Sequence, residues 1–164
     1  MKTLYLVRHA KSSWDFPHLS DYNRPLNKRG KKNAPQMGQR LAARSIRPDI
    51  LLSSPAKRAY STAKSVAKEI KYPIEMIHTH EQIYHAGARD LLSVIQNVSD
   101  QHQTLMLVGH NPGFTDLAND LANESISNIP TAGLVAIKFK VDSWSLVNFG
   151  QGAMVFFDYP KKQI

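Results

Sequence analysis

The stretch Thr3-Leu-Tyr-Leu-Val-Arg-His-Ala10 sets the tightest limit on what this chain can fold into. Thr3 to Val7 are apolar, aromatic or β-branched without interruption, which is the pattern of a strand buried on both faces. A strand of that kind in an α/β protein delivers its C-terminal end to a crevice where ligands bind. Arg8 and His9 stand at that end, a fixed cation beside an imidazole. No glycine-rich loop follows them, which excludes a dinucleotide fingerprint and a P-loop. A histidine after a strand is commonly structural, and an arginine beside it is commonly a surface ion-pair partner. The pair gains meaning only if other strand ends bring matching groups.

The rest of the chain supplies such ends. Lys11 to Leu26 is too long for an ordinary connection and too aromatic, with Trp14 and Phe16, for a solvated linker, so it reads as a functional loop. Asn27 is placed to cap a helix running to about Arg44, with Met37, Leu41 and Ala42 on its inner face and Pro35 as a kink or a true start. Asp49 to Ser53 reads as a second strand, and Pro55 suits the first turn of a helix over Ala56 to about Ile70. Ile74 to Ile77 reads as a third strand. Beyond Gly87, Ala88 to about Val98 carries Leu91, Leu92 and Ile95 at helical spacing. Thr104 to Val108 is a second wholly apolar strand, ending Gly109-His110-Asn111-Pro112-Gly113, with a helix from Phe114 to about Leu121. Gly133 to Phe139 and Trp144 to Phe149 read as an edge hairpin, and the tail from Ala153 to Ile164 is apolar and then basic. Strands alternating with helices predict a three-layer α/β/α sandwich with a mainly parallel central sheet, one domain over residues 1–164.

Charge and composition narrow the functional classes. The net charge is +8 over 164 residues, and the sequence pI is near 9.8, which favours an anionic partner. The basic residues are spread along the chain, with a modest concentration from Arg24 to Arg47. No basic-aromatic platform accompanies them, so no nucleic-acid partner is expected. There is no cysteine, which removes disulfides and thiolate chemistry. No run of about 20 apolar residues and no leader peptide is present, so the expectation is a cytoplasmic protein without a membrane partner.

In a parallel sheet the strand ends share one rim, which gathers Arg8 and His9, Arg58 and His110. Two guanidinium forks pair phosphate oxygens bidentately. A neutral imidazole is nucleophilic near pH 7, so one histidine can attack phosphorus while the other steadies developing charge. The start of the helix after His110 can add amides, less one at Pro112. A metal site competes for two histidines, but no His-x-x-x-His helix or carboxylate cluster accompanies them, and no metal or cofactor is expected. His78 and His80 read as loop or surface residues, as do His18 and His102. Tyr84 and His85 lie near the rim and are open to either a lining or a packing role.

The segments Leu6-Val-Arg-His-Ala-Lys-Ser12, Arg24-Pro-Leu-Asn-Lys-Arg-Gly30, Ser53-Ser-Pro-Ala-Lys-Arg-Ala-Tyr-Ser-Thr-Ala63 and Val108-Gly-His-Asn-Pro-Gly113 resemble the histidine phosphatase superfamily. Its short bacterial branch, the SixA-like phosphohistidine phosphatases, matches best, over nearly the whole chain, and implies a phosphoglycerate mutase-like fold. The resemblance implies that His9 is the nucleophile that becomes phosphorylated and that Arg8, Arg58 and His110 complete the phosphate pocket. It makes Lys11, Ser12 and Asn111 candidates for substrate contact. Ala10 stands where much of the superfamily has Gly, a feature shared with the SixA-like branch. Asp15 stands where phosphoglycerate mutases have an Asn, and a carboxylate there repels a dianion unless it turns away. Glu81 lies where larger members keep an acid for the leaving group and is a candidate for that role.

Imidazole leaves phosphorus readily once protonated, whereas an alkoxide needs an acid. A basic rim with little chain to cover it therefore suits phosphohistidine on a protein. The alternatives are a phosphatase for small phosphate esters using the same pocket, and a domain that binds phosphate or nucleic acid without catalysis.

Overall fold

The computed structural model describes residues 1–162; Gln163 and Ile164 of the basic tail lie outside the described residues. Six strands form one sheet: β1 (Lys2–Arg8), β2 (Ile50–Ser53), β3 (His78–Thr79), β4 (Thr104–Gly109), β5 (Leu134–Phe139) and β6 (Ala153–Asp158). Their order across the sheet is β3-β2-β4-β1-β5-β6. The first four are parallel, and β5 and β6 are antiparallel additions on one side. Four helices cover the faces: α1 (Lys28–Ala43), α2 (Lys57–Glu69), α3 (Ala88–Gln96) and α4 (Gly113–Ala122).

The alternation of side chains along β1 explains the three layers. Leu4 and Leu6 point into one core with Leu91 and Ile95 of α3 and Phe114 and Leu117 of α4. Val7 points the other way, to Met37 and Leu41 of α1 and Ala63 and Val66 of α2. Leu4 and Leu6 are fully buried, and each such side chain contributes about 2 kcal/mol through the water it sheds. The architecture is the mainly parallel α/β/α sandwich read from the sequence.

Several local readings need correction. Ile74–Met76 forms a 3-10 turn, and the third strand is only His78–Thr79. Pro73 leads into that turn, and the strand begins where backbone pairing with Leu52 becomes possible. Trp144–Leu146 is likewise a 3-10 turn, and the partner of β5 is β6, further along the chain. Trp144 is apolar because it is a core plug, fully buried, with its indole N–H donating to the His102 carbonyl at 2.8 Å. Pro55 precedes α2 rather than opening it, since the helix begins at Lys57. Pro35 lies inside α1, which runs through it, and Ala42 faces solvent while Gly30, Ala34, Met37, Gly38 and Leu41 face inward.

Candidate active site

Register builds the site. Arg8 of β1 pairs with Gly109 of β4, and the His9 amide extends the ladder by donating to the Gly109 carbonyl at 2.9 Å. The next residue on each strand is therefore His9 and His110, and their ring centroids lie 5.1 Å apart. On the other side of β4 the Ser54 amide donates to Val108 at 2.9 Å, which carries the end of β2 to the same rim. Arg58, in the first turn of α2, reaches in from there. The Ala10 amide donates to Thr62 Oγ1 at 2.9 Å, and that hydroxyl donates to the Arg58 carbonyl at 2.8 Å, which braces the two motifs against each other.

Arg8, His9, Arg58 and His110 line one cavity of about 320 Å³. Lys11, Ser12 and Asn111 line it too, together with Trp14, Arg24, His85 and Thr131. His9 Nδ1 lies 2.7 Å from the Ala10 carbonyl. A carbonyl only accepts, so the proton of a neutral ring sits on Nδ1 and the lone pair on Nε2 is free. Burial holds the His9 pKa down to about 4; the Ala10 contact opposes this, and the Arg58, Arg8 and Arg24 cations add to it. His110 is pushed to about 3, by burial first and then by His9 and Arg58. Both rings are thus neutral at pH 7. His110 Nε2 is 2.8 Å from Ser54 Oγ, whose oxygen also accepts the Ala56 amide. The serine hydroxyl can either donate to Nε2 or accept from it, so this contact fixes the ring's position and not its tautomer.

Arg8 Nε, Arg58 Nε and His110 Nδ1 are buried without a hydrogen-bond partner among the described residues. These atoms present almost no surface of their own; the charge at the cavity comes from the Arg8 and Arg58 guanidiniums that line it, a pair suited to an anion with several acceptor oxygens. Among the described residues no group of three or more His, Cys, Asp or Glu side chains is arranged to hold a metal ion.

The supporting contacts differ from residue to residue. Arg8 Nη1 donates to the Ile129 carbonyl at 2.8 Å. Asn111 lines the cavity, but its amide is engaged by Asn128, Ile129 and Thr115, so it holds the loop that fixes Arg8. Ser12 Oγ accepts from Arg24 Nη1 at 2.8 Å. Lys11 is exposed at the mouth. Glu81 is not brought to the cavity: it sits on a 3-10 turn, exposed, accepting from the Tyr22 hydroxyl at 3.3 Å. Asp15 does not line the cavity either. The amides at the start of α4 are committed elsewhere, since Phe114, Thr115 and Asp116 donate to His110, the Asn111 side chain and Pro112. The expected helix-end contribution is therefore absent at those three positions.

Two residues carry more of the site than the sequence indicated. Arg24 is nearly buried, donates to Asp21 at 3.2 Å as well as to Ser12, and stacks on Trp14 with 3.6 Å between guanidinium carbon and ring centroid. Asp21 receives Arg58 twice, Nη2 on its carboxylate at 3.0 Å and Nη1 on its carbonyl at 2.7 Å, and also the Tyr84 hydroxyl at 2.7 Å. Partial burial acts to raise its pKa, but the bonds from Tyr84 and Arg58 outweigh it and hold the carboxyl near 2. The Asp21-to-Arg24 spacing inside a polar loop was the available signal, and it resembles an ordinary surface pair. His85 Nε2 completes the cluster 3.5 Å from Asp21. Gly113 allows this approach, because a Cβ there would meet the Ala86 carbonyl.

Comparison with known proteins agrees with the geometry. Residues 4–82 match the family model of the histidine phosphatase superfamily, branch 1. An uncharacterised chloroplastic protein of Arabidopsis thaliana is 32% identical over 151 residues, 87% of this chain and 69% of that one. The phosphoserine phosphatase 1 of Hydrogenobacter thermophilus is 40% identical over 72 residues, 42% of this chain and 32% of the other. A crystal structure assigned as the phosphohistidine phosphatase SixA of Agrobacterium tumefaciens superposes with a TM-score of 0.83 at 28% identity, covering 97% of this chain and 98% of that one. The chain belongs to the histidine phosphatase superfamily, in its SixA-like branch.

Proposed function

We propose that this chain is a phosphohistidine phosphatase that removes the phosphoryl group from a protein in two steps. His9 Nε2 attacks phosphorus, a P–Nε2 bond forms, and the bond from phosphorus to the substrate's imidazole nitrogen breaks. The departing nitrogen takes a proton from water. A water oxygen then bonds to phosphorus, the P–Nε2 bond breaks, and orthophosphate and a proton leave. Arg8 and Arg58 neutralise the phosphoryl oxygens, and the His110 ring beside His9 steadies charge that grows on them in the transition state.

The observation that carries the reading is the state of His9. Its contact with Ala10 and its depressed pKa leave a free lone pair at neutral pH beside two fixed cations. The choice of a phosphoramidate substrate rests on the cavity lining, where no carboxylic acid stands ready for an alkoxide. The local likeness to a phosphoserine phosphatase favours a second reading, hydrolysis of small phosphate esters in the same pocket.

Rapid-quench labelling tests both the chemistry and the substrate. With a radiolabelled histidine-phosphorylated phosphotransfer domain, an acid-labile phosphoenzyme mapping to His9 is expected, at a rate well above that with sugar, nucleotide or serine phosphates. A marked preference for one of those esters selects the second reading. Absence of any phosphoenzyme, with phosphate-bearing ligands still bound, makes the domain a binder instead.

A further inference from the structure

The outer wall of the cavity is aromatic and faces solvent. Trp14 lines the cavity yet is 75% exposed, and Phe16, two residues on, is 44% exposed. An exposed apolar ring on its own is ordinary, but this one stands at the mouth of the candidate active site, where its burial by a partner would be favourable. Nor is the ring loose: its face rests on the Arg24 guanidinium. That guanidinium is itself held by Ser12 and Asp21, and Asp21 in turn holds Arg58. One chain of contacts therefore runs from the phosphate-clamping arginine to the exposed indole. The remaining surface of the indole is thereby held in place at the edge of the cavity that His9 lines. An enclosed pocket for a small metabolite would bury such a ring, not leave it on the lip. A fixed, exposed tryptophan at the mouth of a cavity, with an exposed phenylalanine two residues on in the same loop, is instead the composition of a protein-binding anchor.

We infer that Trp14, with Phe16 two residues on in the same loop, is a docking lip that receives the apolar surface surrounding the phosphorylated histidine of a folded protein. This rests on the phosphoprotein reading above and adds where the protein is gripped. The chemistry of the occupant follows from the lip. It offers an anionic phosphohistidine for the basic cavity and, within one or two helical turns, exposed aliphatic or aromatic side chains for the indole. The overall charge of +8 favours a partner whose remaining surface is acidic.

The test compares wild type, Trp14→Ala and Trp14→Phe on two substrates, a tryptophan-free phosphotransfer domain phosphorylated on histidine with phosphoramidate, and p-nitrophenyl phosphate. Docking requires that Trp14→Ala lower kcat/KM for the domain at least ~10-fold more than for the ester, through KM, and that Trp14→Phe recover most of it. Of the two tryptophans Trp144 is fully buried, so binding of the phosphorylated domain to His9→Ala enzyme should shift the exposed Trp14 emission to shorter wavelength. Equal losses on both substrates would mean that Trp14 serves only to hold Arg24, and no loss on either would leave the lip without a role; each overturns the inference. Wild-type enzyme that cleaves the ester but not the phosphorylated domain would overturn the phosphoprotein reading itself, and the lip with it.

Discussion

The cavity is made by two kinds of structure. Arg8, His9 and His110 stand on the ends of paired strands, and Arg58 on the first turn of a helix, all locked by the register of β1, β4 and β2. Asp21, Arg24 and Trp14 come from the irregular segment between β1 and α1, and His85 from the turn before α3. The first group is deeply buried at its reactive histidines, 8% exposed for His9 and 6% for His110, so its chemistry is set by desolvation. The second group is largely exposed apart from Arg24, and its geometry depends on side chains holding one another. Under the proposed function, the contrast divides groups assigned to the chemistry from groups assigned to admitting and orienting the substrate.

The sharpest way to break this division is to remove the proposed nucleophile. His9→Ala is expected to lower turnover at least ~10³-fold while the fold persists, because the backbone contacts that place residue 9 do not use the ring. Steady-state hydrolysis with a circular-dichroism melt checks both halves; near-wild-type turnover would put the nucleophile elsewhere.

Desolvation of the strand-end group has a second consequence. His9 has a folded pKa of about 4 against an unfolded value near 6.5. Between those values the unfolded chain binds more protons than the folded one, so stability rises with pH and is lost as pH falls from 6.5 toward 4. His110, near 3, acts in the same direction. Urea unfolding from pH 7.5 to 4.5 should show a loss of roughly 2–3 kcal/mol from each ring, so that His9→Gln loses about half as much as wild type. A flat profile over that range would mean that the rings are solvated.

The loop group is expected to give graded effects. Asp21→Ala frees Arg58 and Arg24 without touching either strand end, and the charged bonds involved predict a rise in KM of ~10-fold with a smaller change in kcat. Asp21→Asn, which keeps an acceptor, should fall between. A collapse of kcat with KM unchanged would move Asp21 into the catalytic group.

The same contrast governs what could be read without coordinates. The strand-end residues were legible because uninterrupted apolar runs mark buried parallel strands, and their ends must share a rim. The elements misread were short or antiparallel: the two-residue β3, and the Trp144 turn, where an apolar residue serves as a core plug rather than as part of a strand. Arg24 and Asp21 escaped because their meaning lies in contacts with Trp14, Arg58 and Tyr84, which no local period encodes. Glu81 is the reverse case, a carboxylate the resemblance offered as a proton donor but which its 3-10 turn leaves exposed and outside the cavity lining.

The smallest expected effect concerns the joint between the two groups. Asn27 ends the loop and caps α1, its Oδ1 accepting the Gly30 amide at 2.8 Å, while its own amide donates to the Lys11 carbonyl at 3.0 Å. Ser13 donates to Pro25 at 2.8 Å, so the loop is zipped at its base. Gly30 packs against the Lys11 carbonyl with no room for a side chain. Asn27→Ala removes only the side-chain cap and leaves the backbone zip, so it should lower stability by about 1 kcal/mol in urea unfolding. Turnover should stay within about twofold, because the strand ends do not depend on the cap. If turnover fell as far as in Asp21→Ala, loop and strand ends would be one mechanical unit, and the separation of admission from chemistry would fail at the residue where the two regions meet.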